Sequence, residues 1–474
     1  MNRAPQQGRT SSRRSMTGVT LVAVLSFAGL TAVSGPTSAD QPAAGEMTFS
    51  NPSGAHRTLS TGGTIDTENP FFQELGTNGR TCFTCHRPEQ AWTITPTELR
   101  DRFEQTGGLD PIFRTNDGSN CEGADISHVE QRRRAFSLLL TKGLIRIGLD
   151  VPAGAEFEIF DVDDPYRCGA LLSSPSMYRR PLPTTNLAFL STVMWDGRDT
   201  APGQAIRADL MTQARNATTG HAEGAPPSAA ELRAIVDFEL GLVTAQTHDS
   251  SAGSLSVRGA RGGPRMLARQ PFCIGINDPL GMLPSVPGAC ATSGGFDPRV
   301  FTLFEAWASD RSAEREAIAR GEAIFNTRQF VIDSVPGLNG APSDPVSGPI
   351  QNGTCTICHD TPNAGNHSVS MALNIGIADP SRRTPDLPLY TLRHRTTSEV
   401  VQTTDPGRAM VTGRWNDIAK FKGPVLRALA ARAPFFHDGS AATLADVIAF
   451  YETRFQIGFT DREKADLLAF LHSL

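Results

Sequence analysis

Two C-x-x-C-H words constrain this chain more than anything else in it: Cys82-Phe83-Thr84-Cys85-His86 and Cys355-Thr356-Ile357-Cys358-His359. That spacing is the attachment signal for c-type haem. Two thiols one turn apart add to the two vinyl groups on one edge of a porphyrin, and the imidazole that follows binds the iron from beneath the ring. A thioredoxin-like thiol pair needs a βαβ setting that the flanking sequence lacks. A zinc shared between the words has no use for a His directly after the second Cys of each. The expectation is two covalently bound haem c groups, held by Cys82, Cys85, Cys355 and Cys358, with His86 and His359 as proximal iron ligands.

The other four cysteines are Cys121, Cys168, Cys273 and Cys290. Their redox state depends on compartment, and the N-terminus speaks to that. Residues 1–39 read as a signal peptide. Arg3, Arg9, Arg13 and Arg14 form a positive start, Met16 to Val33 is an uncharged apolar run, and Thr37-Ser38-Ala39 ends in a small-residue cleavage pattern. The protein is therefore expected to be exported, most simply to a periplasm, where thiols can pair. Order along the chain suggests Cys121–Cys168 and Cys273–Cys290, while four cysteines allow three connectivities.

Composition removes other classes. Of 474 residues, 39% are hydrophobic and 20% charged, with a mean hydropathy of −0.23, as in a soluble globular chain. The formal charge of −5 gives no basic patch for nucleic acid. Beyond the leader, no stretch is apolar enough to span a bilayer, so no membrane span is expected after cleavage.

Organisation follows the haem words. A first unit, 45–248, is expected to form an N-terminal haem domain, with a long stretch rich in Gly, Asp and Pro from about 105 to 180. Glu130 to Leu144 interrupts it with apolar residues at helical spacing. Ser250 to Pro298 reads as a linker or insertion, here 250–298. A second unit, 299–474, opens with a helical run from Val300 to Ile324. It closes on two helices, Leu444 to Tyr451 and Asp461 to Leu474, capped by Thr443 and Thr460.

The words around the haem motifs carry a family resemblance. Gly79-Arg80-Thr81-Cys82, Trp92, Pro183 to Asn186 and Trp195-Asp196-Gly197-Arg198 mark the first unit. Arg320-Gly321-Glu322-Ala323-Ile324-Phe325, Phe421-Lys422-Gly423-Pro424-Val425-Leu426-Arg427 and Pro434-Phe435-Phe436-His437-Asp438-Gly439-Ser440 mark the second. Together they resemble the bacterial di-haem cytochrome c peroxidase family and its relative MauG, over most of the mature chain. The resemblance implies a mainly α fold of two cytochrome c-like haem domains with loop-rich insertions. It implies that the first haem reacts with hydrogen peroxide while the second handles electrons, with an electron-donor or substrate protein as partner. A homodimer is a further implied assembly.

The resemblance also assigns residues. Trp195 would lie between the haems, where a π-system eases passage of an electron or hole. Counting from His437, Tyr451 falls where the peroxidases place a Met ligand to the second haem iron and MauG a Tyr; Met410 and Met371 are the rivals. A phenolate is a hard anionic donor that favours oxidised iron, whereas a thioether favours ferrous iron. No His lies between His86 and His128, so the latch that blocks the peroxide site in many of these peroxidases is missing. The distal acid–base role falls to His221, with Glu223 second. The family's calcium ion would be held by the carbonyls of Arg432 and Pro434, but Arg180 replaces its Asn ligand. The reading is a MauG-like peroxide-reducing enzyme. The alternatives are a conventional cytochrome c peroxidase and a non-enzymatic di-haem electron carrier.

Overall fold

Helices form where a cap and an apolar stripe coincide. Ser228 with Glu231, Thr443 with Asp446, and Thr460 with Glu463 each make a reciprocal capping box, starting the helices Ala229–Gly241, Leu444–Phe455 and Asp461–His472. Ser312 caps Ala313–Thr327 through the Arg315 amide. This last helix and Asp461–His472 pack so closely that a Cβ on Gly321 would come within 2.0 Å of the Asp466 carbonyl oxygen. Their shared core holds Phe301, Phe304, Trp307, Phe325 and Phe470. The structure is a computed structural model describing residues 45–169 and 172–474. The expected signal peptide lies outside the described residues.

The mainly α expectation is corrected. Among the described residues 29% are helical and 15% strand, with the strands in four sheets. One antiparallel sheet runs in the order Glu46–Asn51, Gly54–Ser60, Leu242–Asp249, Gly253–Ser254, so it joins the two ends of the first haem segment. Another places Leu389–His394 between Val400–Thr403 and Phe157–Asp163, so it pairs the first haem segment with the second. In Phe157–Asp163, Phe157 and Ile159 are buried in the core while Phe160 faces outward. This strand is stabilised by a partner more than 200 residues away, which no local periodicity reveals.

Two helical readings also change. Glu130–Leu144 is broken at Phe136 into Val129–Ala135 and Ser137–Lys142. Only Ala313–Thr327 of the Val300–Ile324 run is α-helix. Upstream, the buried Glu322 carboxylate accepts from the amides of Leu303 at 2.5 Å and Phe304 at 2.9 Å, holding these residues outside the helix. Both disulfides, Cys121–Cys168 and Cys273–Cys290, have formed as chain order suggested. Among the described residues, no helix is long and apolar enough to cross a membrane.

Candidate active site

Both haem words fold alike. Each is one 3-10 turn, Cys82–Thr84 or Cys355–Ile357, entered from an extended threonine. The amide of His86 donates to the Cys82 carbonyl at 3.0 Å, and that of His359 to the Cys355 carbonyl at 3.2 Å. The turn thus sets each His directly beyond its thiol pair.

The imidazoles are locked in the ligating tautomer. His86 Nδ1 donates to the Trp92 carbonyl at 3.0 Å, and His359 Nδ1 donates to the Gly365 carbonyl at 2.6 Å. A carbonyl can only accept, so the proton sits on Nδ1 and Nε2 keeps its lone pair for a metal. Burial lowers the pKa of His86 to about 4 and also depresses that of His359. Both rings stay neutral at neutral pH, the form that binds iron.

The second word opens onto an apolar cleft lined by Cys355, Cys358, His359, Tyr451 and Trp195 among others. Its chemistry fits a haem. Lys422 and Arg432 also line it, and neither pairs with a carboxylate among the described residues. Burial pushes Lys422 down to about 7 and Arg432 to about 10, and Arg432 Nε has no hydrogen-bond partner. Unpaired buried cations are costly unless an anion joins them. The two propionates of a haem are anions of that kind.

Tyr451 stands in the wall of this cleft, on Leu444–Phe455. Burial raises its pKa, and the nearby Cys358 and Cys355 add to the shift. Its ring stacks on Phe455, with centroids 6.2 Å apart, and no residue described here hydrogen-bonds its hydroxyl. Neither rival methionine lines the cleft, although each packs in a cluster that shares residues with its wall. Met410 is buried in the core with Phe157 and Tyr390, and Met371 packs beside Leu373.

Trp195 is fixed at both ends. Its Nε1 donates to the Arg180 carbonyl at 2.8 Å, and its own carbonyl accepts from the Lys422 amide at 2.9 Å. His437 lies edge-on to it at 6.4 Å and stacks on Phe421 at 4.2 Å. The ring of His437 is fully buried, and neither of its nitrogens has a hydrogen-bond partner among the described residues.

Around the first word, Phe71, Trp92 and Phe238 form an aromatic wall near Cys82. On another side, Arg80 Nη1 donates to the buried Asp117 at 2.5 Å, and His221 Nδ1 donates to the other oxygen of the same carboxylate at 2.5 Å. His221 follows the end of Ile206–Gly220 and is close enough to depress the pKa of His86. Its side chain is 45% exposed, so Nε2 is reachable from solvent. Glu223 is exposed, with a left-handed φ of 54°. Two further acids were not legible in the sequence. Asp117 lies in the stretch read as an insertion, where nothing local marks it. Glu239 lies on a helix whose pattern reads as ordinary core; it is buried near Cys82, one oxygen has no partner, and burial raises its pKa to about 8.

At the expected calcium position, Arg180 is buried and its guanidinium donates to the Arg432 carbonyl at 3.2 Å. Pro434 lines the cleft.

No family model matches the chain. A cytochrome-c peroxidase, IdrP1 of Denitromonas iodatirespirans, is 28% identical over 195 residues, covering 36% of this chain and 44% of that protein. IdrP2 of the same organism, also a cytochrome-c peroxidase, is 30% identical over 135 residues, covering 26% of this chain and 36% of its own length. The chain thus spans less than half the length of the curated relatives it matches. A MauG-like protein associated with microbial copper homeostasis is a distant likeness among solved structures, 16% identical with a TM-score of 0.39, covering 92% of this chain and 94% of its own. The named sequence relatives are cytochrome-c peroxidases, in keeping with the resemblance that the words around the haem motifs carry to the di-haem cytochrome c peroxidase family.

Proposed function

We propose that this chain is an exported c-type enzyme with two haems that reduces hydrogen peroxide and spends the oxidising equivalents on a substrate, in the manner of MauG. The observation that carries the reading is Tyr451 in the wall of the second cleft beside Cys355 and Cys358, a wall to which neither Met371 nor Met410 contributes. Cytochrome-c peroxidase relatives support peroxide as the oxidant.

Bound haem supplies the redox chemistry of peroxide reduction. His86 and His359 offer Nε2 to the two irons and are held for it by backbone carbonyls. His221, oriented by Asp117, would take a proton from one peroxide oxygen and return it to the other as the O–O bond breaks. Arg80 keeps Asp117 ionised, so Asp117 stabilises the imidazolium that forms. Trp195 carries charge between the first site and the second cleft. Tyr451 would be the residue to offer a hard oxygen to iron in the second cleft, a donor that would disfavour reduced iron. The substrate or electron donor is a redox-active protein or organic molecule in the exported compartment.

The test is the visible and near-infrared spectrum of the diferric protein before and after one equivalent of peroxide. A bleached and shifted Soret band with a new near-infrared band supports the reading. No change until the protein is half reduced assigns it instead to a conventional peroxidase or an electron carrier.

A further inference from the structure

The guanidinium of Arg180 sits among backbone carbonyls from three parts of the chain. Nη1 donates to the Lys142 carbonyl at 2.8 Å, and Nη2 to the Ile94 carbonyl at 2.8 Å and the Arg432 carbonyl at 3.2 Å. Ile94 follows the first haem word, Lys142 ends the helix Ser137–Lys142, and Arg432 belongs to the second haem segment. No carboxylate pairs with Arg180 among the described residues, and the side chain is buried. Space is reserved for it as well: a Cβ on Gly143 would come within 2.6 Å of Nη1.

A calcium ion takes roughly six to eight oxygen ligands at about 2.3–2.6 Å. Here one carbonyl assigned to such an ion is already a hydrogen-bond acceptor for a permanent cation. That cation removes the side-chain oxygen expected at this position, fills the space and repels a second positive charge. The residues do not fit calcium. The main chain of Arg180 adds a second function: its carbonyl holds Trp195 Nε1 at 2.8 Å, and its amide donates to the His437 carbonyl at 2.7 Å.

We propose that Arg180 is a built-in replacement for a divalent cation, joining the two haem segments through their backbone carbonyls and holding Trp195 in place, so that this protein needs no calcium. The positive charge comes from the chain itself and cannot be lost to a chelator.

The experiment uses the holoprotein. Expected are substoichiometric calcium by elemental analysis, and a thermal midpoint and diferric spectrum that EGTA leaves unchanged. In Arg180→Asn, the midpoint falls by roughly 5 °C or more, and millimolar calcium recovers part of the loss, because the amide oxygen and the freed carbonyls can bind it. Stoichiometric calcium in the wild-type protein, or a midpoint or spectrum that shifts with EGTA, overturns the proposal whether or not the variant folds. An Arg180→Asn protein as stable as wild type without calcium overturns it too.

Discussion

His221 donates to Asp117 at 2.5 Å although 104 residues separate them, and Arg80 grips the same carboxylate from the strip leading into the first haem word. Burial opposes ionisation of Asp117, but His221 and Arg80 outweigh it and hold its pKa below the usual value. The result is a histidine near His86 with an oriented ring and an Nε2 that no described residue hydrogen-bonds. His221→Ala is expected to slow the reaction of the diferric protein with peroxide by roughly 10²–10⁴-fold, and Asp117→Asn by a smaller factor. Stopped-flow absorbance at several peroxide concentrations measures both. A His221→Ala rate equal to wild type removes it from the acid–base role.

The same pair has a pH signature. A carboxyl whose folded pKa is depressed adds stability above its unfolded value of about 3.9, and that stability is lost as pH falls through the folded value. Asp117→Asn should therefore be destabilised against wild type at pH 7, with the gap closing under strongly acidic conditions. Denaturant midpoints across the acid range check this.

Glu239 has the opposite sign. Burial raises its pKa to about 8, so ionising it costs stability. The cost is absent below its ordinary value, grows as pH rises and levels off above about 8. Glu239→Gln is expected to gain roughly 1–3 kcal/mol above pH 8 and to match wild type near pH 4. Equal midpoints at high pH would place a compensating partner against the carboxyl.

Tyr451 is tested by its absorption and potential. Tyr451→Phe should change the ferric spectrum of the second haem while leaving the first intact, and Tyr451→Met should raise the second potential by on the order of 100 mV. Spectroelectrochemical titration resolves the two haems. A Tyr451→Phe protein with wild-type spectra ends the MauG-like assignment.

The attachment sites are open to a simpler count. Mass measurement of the intact chain should show two covalent haems in wild type. Replacing Cys82 and Cys85, or Cys355 and Cys358, with Ala should leave one.

Much of this was legible from sequence because its signals are local. A C-x-x-C-H word carries its own geometry, and the reciprocal caps at Thr443 and Thr460 announce their helices within three residues. The disulfides also followed chain order. The remainder depends on contacts between distant residues. Phe157–Asp163 looks like loop until Leu389–His394 supplies its hydrogen bonds. Asp117 is one acid among many until folding brings His221 to it. Arg180 reads as a lost ligand for calcium, and only the carbonyls around it show a positive charge held in that place.

The strand pairing between Phe157–Asp163 and Leu389–His394 has a consequence for dividing the molecule. A chain ending at residue 298 would keep the first haem word but strip the partner from Phe157–Asp163, leaving a bare row of amides and carbonyls beside an uncovered Phe157. Such an edge recruits whatever strand it meets. The first haem segment on its own should therefore self-associate rather than fold as a separate domain, and the two C-x-x-C-H words are inherited as one indivisible unit.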